Sequence, residues 1–487
     1  MKSYLLLLFP SFLLSQIQIG SDINGEKFND LSGESISLSA NGKILAIGAR
    51  SNDGSGFASG HVRVFKNESN NWIKLGENIN GENSFDGSGN AVSLSADGKI
   101  LAVGAQWNDE NGSNSGHVRV YKFEEDNWVQ MGSDIDGEAS GDLSGFSVSL
   151  SSDGQIIAIG APLNQENGFG SGHVRIYRYK SDNWIQIGED IDGKYENEVS
   201  GNSICLSSDG SIIAIGSVEG DNNGSNSGLV RVYKNLNTIW TQLGNDINGE
   251  AIDDFFGTSL SLSSDGTVIA IGASRNDRKG NNSGHVCVYK NLNNSWVQIG
   301  DNINGEASGD VFGNSVSISS DGSIVVVGAI GNDQNGIDSG QVKIYKNISN
   351  TWIQIGTDIG GEFAGDSLGD SVSLSSDGSI LAIGASRNQG NGENSGHVRV
   401  YDLSNILSNE SFERNYFSYF PNPVKNILNI QLKNGLGLKQ ATIYNLQGQH
   451  LFTTKQTQID VSNLPKGIYF VNVETNIGIS ADKIIIE

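Results

Sequence analysis

Ser259-Leu260-Ser261-Leu262-Ser263-Ser264-Asp265-Gly266-Thr267-Val268-Ile269-Ala270-Ile271-Gly272-Ala273 decides the fold. Its first five residues alternate polar and apolar, the period of a half-buried strand. Ser264-Asp265-Gly266 reads as a tight turn. Val268 to Ala273 is a continuous apolar run, short enough for a strand buried on both faces. A polar loop from Ser274 to Gly284 follows, then the alternating His285-Val286-Cys287-Val288-Tyr289. An Asn-rich turn leads to Trp296-Val297-Gln298-Ile299-Gly300, the last of four short antiparallel strands.

The unit recurs without slipping. Asn41-Gly42, Asp97-Gly98, Asp153-Gly154, Asp209-Gly210, Asp265-Gly266, Asp321-Gly322 and Asp377-Gly378 are each 56 residues apart. Trp72, Trp128, Trp184, Trp240, Trp296 and Trp352 keep the same step. A fixed period of this length means one supersecondary unit repeated about an axis. Seven copies of four strands predict an all-β, seven-bladed β-propeller over residues 16–402. A β-solenoid fits less well, because neither end of the array carries a cap. The array instead opens on a lone fourth strand, Gln16 to Gly20, and stops after a third strand, His397 to Tyr401. The N-terminal strand is therefore expected to complete the last blade and close the ring.

Some columns of the repeat never change. Gly48 and its six equivalents end the second strand, where a side chain would collide with the next blade. His61, His117, His173, His285 and His397 share one column, replaced by Leu229 and Gln341. An imidazole used five times reads as a structural hydrogen-bonding residue, since catalysis needs unlike residues converging once. The expectation is a protein that is not an enzyme, with a polysaccharide-acting site in the axial channel as the remote alternative. Cys205 and Cys287 stand in different columns and read as substituted strand residues, not a disulfide.

The 487-residue chain has a formal net charge of −24. From Leu403 onward seven Lys/Arg face six Asp/Glu, so the negative charge belongs to the repeats. Such a surface disfavours nucleic acid and anionic lipid and suits divalent cations. Residues 1–15, with Lys2 before an apolar run and Ser15 closing it, read as a signal peptide. The run is too short to span a bilayer, and no transmembrane segment is expected in the mature protein.

Each copy carries two long loops, between second and third strands and from the fourth strand to the next first strand. Both emerge on one face, where binding is expected. The second loop has an acidic pattern: Asp22, Asn24, Glu26, Asp30; Asp134, Asp136, Glu138, Asp142; Asp246, Asn248, Glu250, Asp254. Oxygen ligands at alternating positions around a glycine suit Ca2+. An Asp-Gly or Asn-Gly turn whose carboxylates cap backbone N–H groups fits the same residues. The fourth copy breaks the pattern with Lys194 and Glu198. Loop aromatics admit a carbohydrate ligand, with Trp107, outside the tryptophan series, and Tyr195 the candidates.

Phe312-Gly313-Asn314-Ser315-Val316-Ser317, Ile324 to Ala329 and Gly160-Ala161-Pro162 resemble FG-GAP repeats, the propeller type of integrin α-subunit heads. That resemblance implies adhesion or ligand binding, with an extracellular protein or glycan as partner. The family's calcium loop between first and second strands is here only Ser-Asp-Gly, so its ligands do not carry over.

After a linker at 403–416 the repeat stops. Phe417 to Pro423, Ile427 to Ile430, Ala441 to Asn445, Ile459 to Val461 and Leu464 to Tyr469 alternate with Pro and Gly breaks, the pattern of a small β-sandwich at 417–487. This segment is similar to the C-terminal sorting domain of the type IX secretion system of Bacteroidota. The resemblance implies delivery by that machinery to the outer-membrane surface or the medium.

Overall fold

The computed structural model describes residues 16–408, 417–432, 437–446, 448–475 and 479–487. The expected signal peptide and linker residues 409–416 lie outside the described residues. The chain divides into two compact units, with the boundary between Leu403 and Ser404. Leu403 is fully buried, and Ser404–Ser408 forms one short helix.

Seven antiparallel sheets repeat one plan. In the fifth, Phe256–Leu262, Val268–Ala273, His285–Leu292 and Ser295–Gln298 pair in that order. The first to sixth sheets span 35–80, 91–136, 147–192, 200–248, 256–304 and 312–360. The seventh joins Ser371–Leu374, Ile380–Ala385 and His397–Asp402 to the start of the chain, with Ile17 opposite Asp402 and Gln18 opposite Tyr401. The offset of the array thus supplies an outer strand to the last blade.

One element departs from the four-strand reading. After the bend near Gly300, the chain returns to the third strand at Ile303–Asn304, placing Ile303 opposite Val286. In the sixth sheet the two pieces form one strand, Thr351–Gly360. The cause is an apolar residue inside each acidic run: Ile23, Ile79, Ile135, Ile191, Ile247, Ile303 and Ile359 are all buried. Full burial of such a side chain contributes about 1.5–3 kcal/mol, enough to pull the acidic loop back onto its sheet.

Consecutive sheets share their cores. Ala46, Val62 and Val64 of the first pack with Leu94, Leu101 and Val103 of the second. The seventh packs on the first in the same way, through Ala382, Val398 and Val400 against Leu38, Leu45 and Ile47. The alternating serines of the inner strands face their neighbours: the Ser37 hydroxyl accepts from Leu94 N at 2.9 Å, and Ser373 accepts from Leu38 N at 3.0 Å. Inner-strand edges are thereby hydrogen-bonded instead of exposed. Cys205 takes this role for Leu262 N at 3.4 Å, which accounts for a thiol in a serine column. Both cysteines are free.

Each repeat tryptophan is a clasp. Trp128 Nε1 donates to Leu75 O at 2.9 Å and Trp352 Nε1 to Ile299 O at 2.8 Å, each reaching one copy back. The invariant glycine of the second strand has a steric cause. A Cβ at Gly272 would lie 2.1 Å from Gly313 O, and at Gly384 1.9 Å from Gly33 O.

The C-terminal unit contains two sheets. Phe417–Phe420, Ile427–Leu432 and Gln458–Asp460 form one; His450–Thr454, Leu438–Asn445, Gly467–Thr475 and Ile479–Ile486 form the other. Alternate residues are buried, including Leu428 and Ile430 in the first and Ala441, Ile443, Val471 and Val473 in the second.

Candidate functional site

The acidic loops divide their residues between different tasks. Asp30, Asp142 and Asp254 are each 2% exposed and cap their own loop. Asp30 Oδ2 accepts from Glu26 N at 3.0 Å and Lys27 N at 2.8 Å, while its Oδ1 accepts from Asn52 at 3.0 Å. Asp142 and Asp254 repeat this with Asn164 and Asn276. Burial pushes the Asp30 and Asp254 carboxyls above the ordinary carboxylate range.

The other acids of a loop do not meet the capping one around a common point. Asp22 faces His397 and Asp134 faces His117, each with 3.5 Å between carboxylate and Nδ1, whereas Asp246 accepts from Arg231 Nε at 3.1 Å. Asn24 O and Asp136 O accept from Arg63 and Arg175 of the following copy, and Asn248 accepts from Asn222. Glu26, Glu138 and Glu250 reach the next sheet, near Arg63, Arg175 and Arg278.

Every repeat histidine is buried, and the hydrogen-bonding role expected for the column is seen at His285, whose Nε2 lies 3.5 Å from Cys287 Sγ, but not in the first three copies. His61, His117 and His173 have both ring nitrogens without a hydrogen bond. Burial, with the adjacent arginine, holds His117 and His173 neutral by lowering their pKa to about 4.

The broken fourth copy is internally compensated. Gly220 replaces the asparagine that bonds the capping acid in the first, third, fifth and sixth copies, and Glu198 replaces that acid. The longer side chain still caps Lys194 N at 2.7 Å and also grips Arg231 with two bonds of 2.7 and 2.9 Å. Lys194 Nζ lies 3.6 Å from Asp246. Charge reversal at one position is balanced within the same pocket.

A cavity of about 700 Å3 opens among the loops of the first, sixth and seventh copies. Its lining includes Phe28, Glu34, Arg50, Phe57, Ile330, Asp370, Ser386 and Arg387. Three columns of the repeat that never settle on one residue meet here. One reads Glu34, Asn90, Phe146, Asn202, Thr258, Asn314, Asp370; the next Arg50, Gln106, Pro162, Val218, Ser274, Ile330, Ser386; the third Ser51, Trp107, Leu163, Glu219, Arg275, Gly331, Arg387. Sequence reading passed over Glu34, Arg50, Asp370 and Arg387, although comparing the columns copy by copy would have exposed them.

Arg50 Nε lies 2.6 Å from Glu34 Oε2, and its guanidinium sits 5.2 Å from the centre of the Trp107 ring. Trp107 thus supports the cavity wall through a cation–π contact. Tyr195 stands exposed on the loop between the third and fourth sheets, away from the cavity's lining. The Ser386 hydroxyl donates to Asp370, whose carboxyl is raised by burial. Two guanidiniums and two carboxyls in one cleft, rimmed by the exposed Phe28 and Phe57, can orient a polar ligand.

Burial raises the Glu34 carboxyl from 4.5 to about 7, outweighing the pull of Arg50 and aided by Asp370. Between those two values the native state holds a proton that the unfolded chain has released. Stability therefore falls as pH rises through this window. Glu34→Gln is expected to remove that component, on the order of 1–3 kcal/mol. Melting curves of wild type and variant should separate between pH 5 and 7.5; parallel pH profiles would contradict the assignment.

Matches to the FG-GAP repeat family fall at residues 80–121, 248–289 and 304–345. Residues 418–487 match the secretion system C-terminal sorting domain. The chain thus carries FG-GAP repeats on a propeller and a type IX sorting tail, which marks it for export to the cell surface or medium. Among the described residues, no helix is long and apolar enough to cross a membrane. A similar solved structure is that of a provisionally named 6-phosphogluconolactonase from Bacteroides uniformis, with 12% identity, a TM-score of 0.48, and coverage of 68% of this chain and 86% of that one. No curated protein matches the chain.

Proposed function

We propose that the propeller is a non-catalytic binding module, carried out of the cell by its tail, that holds an extracellular ligand in the cavity between the first, sixth and seventh copies. The observation that carries this reading is the convergence there of two guanidiniums and two carboxyls, Arg50, Arg387, Glu34 and Asp370, from variable columns of the repeat. Packing demands the same residue in every copy, so columns that vary around the ring are free of that demand and open to a ligand. Arg50 and Arg387 suit a carboxylate, sulfate or phosphate on the ligand, because a guanidinium offers paired donors to such groups. Among the described residues no histidine lines the cavity, and Glu34 is engaged by Arg50.

A lectin-like reading is favoured by Phe28 and Phe57, exposed by 59% and 65% at the rim, where a sugar ring can stack. Acidic glycans satisfy both observations and are the first ligand class to test. Full-length protein on an array of acidic and neutral glycans is expected to retain the acidic ones, and Arg50→Ala/Arg387→Ala to lose them. Equal retention of the neutral glycans would sink the anionic part of the reading.

A further inference from the structure

The second and third sheets each hold a buried imidazole aimed at a group of carboxylates. His117 is fully buried, neither ring nitrogen has a hydrogen bond, and Nδ1 lies 3.5 Å from Asp134 Oδ2. Ligand atoms of His117, Asp134, Glu82 and Glu110 all fall within 4.8 Å of one another. In the third sheet, His173 is equally buried and unbonded, with Nδ1 3.5 Å from Asp190 Oδ2 and 3.8 Å from Glu138 Oε2. Asp192 Oδ1 is 3.9 Å from the same nitrogen and has no hydrogen-bond partner either.

Other copies show what such a pocket does when it supplies its own cation. In the sixth, Lys343 occupies the arginine column, is 3% exposed and lies 2.5 Å from Glu306 and 3.5 Å from Asp358. In the fourth, Leu229 replaces the histidine, and Arg231 and Lys194 engage Glu198 and Asp246. The second and third copies retain one guanidinium each. Arg119 and Arg175 give one bond to a backbone carbonyl and lie 3.2 and 3.5 Å from Glu82 and Glu138. The carboxylates there outnumber the cations, and the imidazole Nδ1 faces them without a hydrogen bond.

We infer that these two pockets are binding sites for a first-row transition dication, one ion beneath the loops of each sheet. The donor set decides the class. Ca2+ and Mg2+ take oxygen ligands, whereas one imidazole nitrogen with carboxylates suits Zn2+, Mn2+ or Co2+. The ion would bind Nδ1 and draw in the carboxylates, joining loops from two successive copies. Glu82 and Glu138, 41% and 43% exposed, leave each pocket open to solvent. The set differs from the acidic loop pattern, because it combines residues of two loops with a strand residue.

The test uses chelator-stripped full-length protein, titrated calorimetrically with Zn2+ and with Ca2+, and spectroscopically with Co2+. His117→Leu and His173→Leu are the variants, since Leu229 fills the same column in the fourth copy. Each is expected to remove one equivalent of Zn2+, or weaken it at least tenfold, and the double variant two. Co2+ should give d–d bands that diminish with each substitution. Glu110→Gln, at an exposed position, should weaken only the second-sheet site. No Zn2+ binding by wild type, unchanged stoichiometry in the double variant, or Ca2+ binding that both leucine variants retain would each overturn the proposal. The cavity reading stays separate: Arg50→Ala/Arg387→Ala should leave the zinc titration intact.

Discussion

Gly384→Ala is expected to destabilise the propeller by about 3 kcal/mol or more and to lower its melting temperature by roughly 5 °C. The added Cβ would lie 1.9 Å from Gly33 O, inside the backbone of the first copy, where no rotamer change can relieve the contact. The comparison that matters is with Gly272→Ala, whose Cβ would meet Gly313 O at 2.1 Å between the fifth and sixth sheets. A ring closed on its N-terminal strand predicts similar losses at both seams. Thermal melts of the two variants in parallel measure this. A Gly384→Ala protein as stable as wild type, beside a destabilised Gly272→Ala, would mean the seventh and first sheets do not bear on one another in solution.

Removing residues 417–487 is expected to abolish surface display and release into the medium, with the propeller retained inside the cell envelope. The match to the sorting domain covers 418–487, nearly the whole of what would be removed. The two-unit division of the chain lets the propeller fold without it, because the cores of the seven sheets draw on residues before Ser404. Immunoblots of medium, surface-exposed and envelope fractions read the effect directly. Persistent display of the truncated chain would contradict the assignment of delivery to this segment.

Much of the scaffold is legible in the sequence because its determinants are local and repeated. The apolar run Val268 to Ala273, the Asp-Gly turn and the tryptophan step each specify an element by themselves. The offset of the array foretells that Ile17–Gln18 pairs with the seventh sheet, as it does. The return of the chain at Ile303 is harder to read, since one apolar residue in an acidic run carries the signal.

The sites are less legible, and the reason is geometric. Asp134, Asp136, Glu138 and Asp142 look like one ligand set because they are close in sequence. On a blade, however, successive residues point in different directions. Asp134 turns to His117, Glu138 crosses to His173, and Asp142 folds back as a cap. The irregularity at Lys194 is explained only through Arg231, which sequence spacing does not bring near it. The cavity presents the converse case. Glu34, Arg50, Asp370 and Arg387 form no motif, and only folding the array places its beginning beside its end.

The proposal that binding resides in this cavity rests on the convergence there of Glu34, Arg50, Asp370 and Arg387. The most direct measurement compares full-length wild type, Arg50→Ala/Arg387→Ala and Arg275→Ala on an array of acidic glycans. Arg275 shares the column of Arg387 but stacks on Phe255, away from the cavity. Wild type and Arg275→Ala are expected to retain the same acidic glycans, and the double variant to lose them at least tenfold. Equal retention by the double variant, or no retention by wild type, would contradict it.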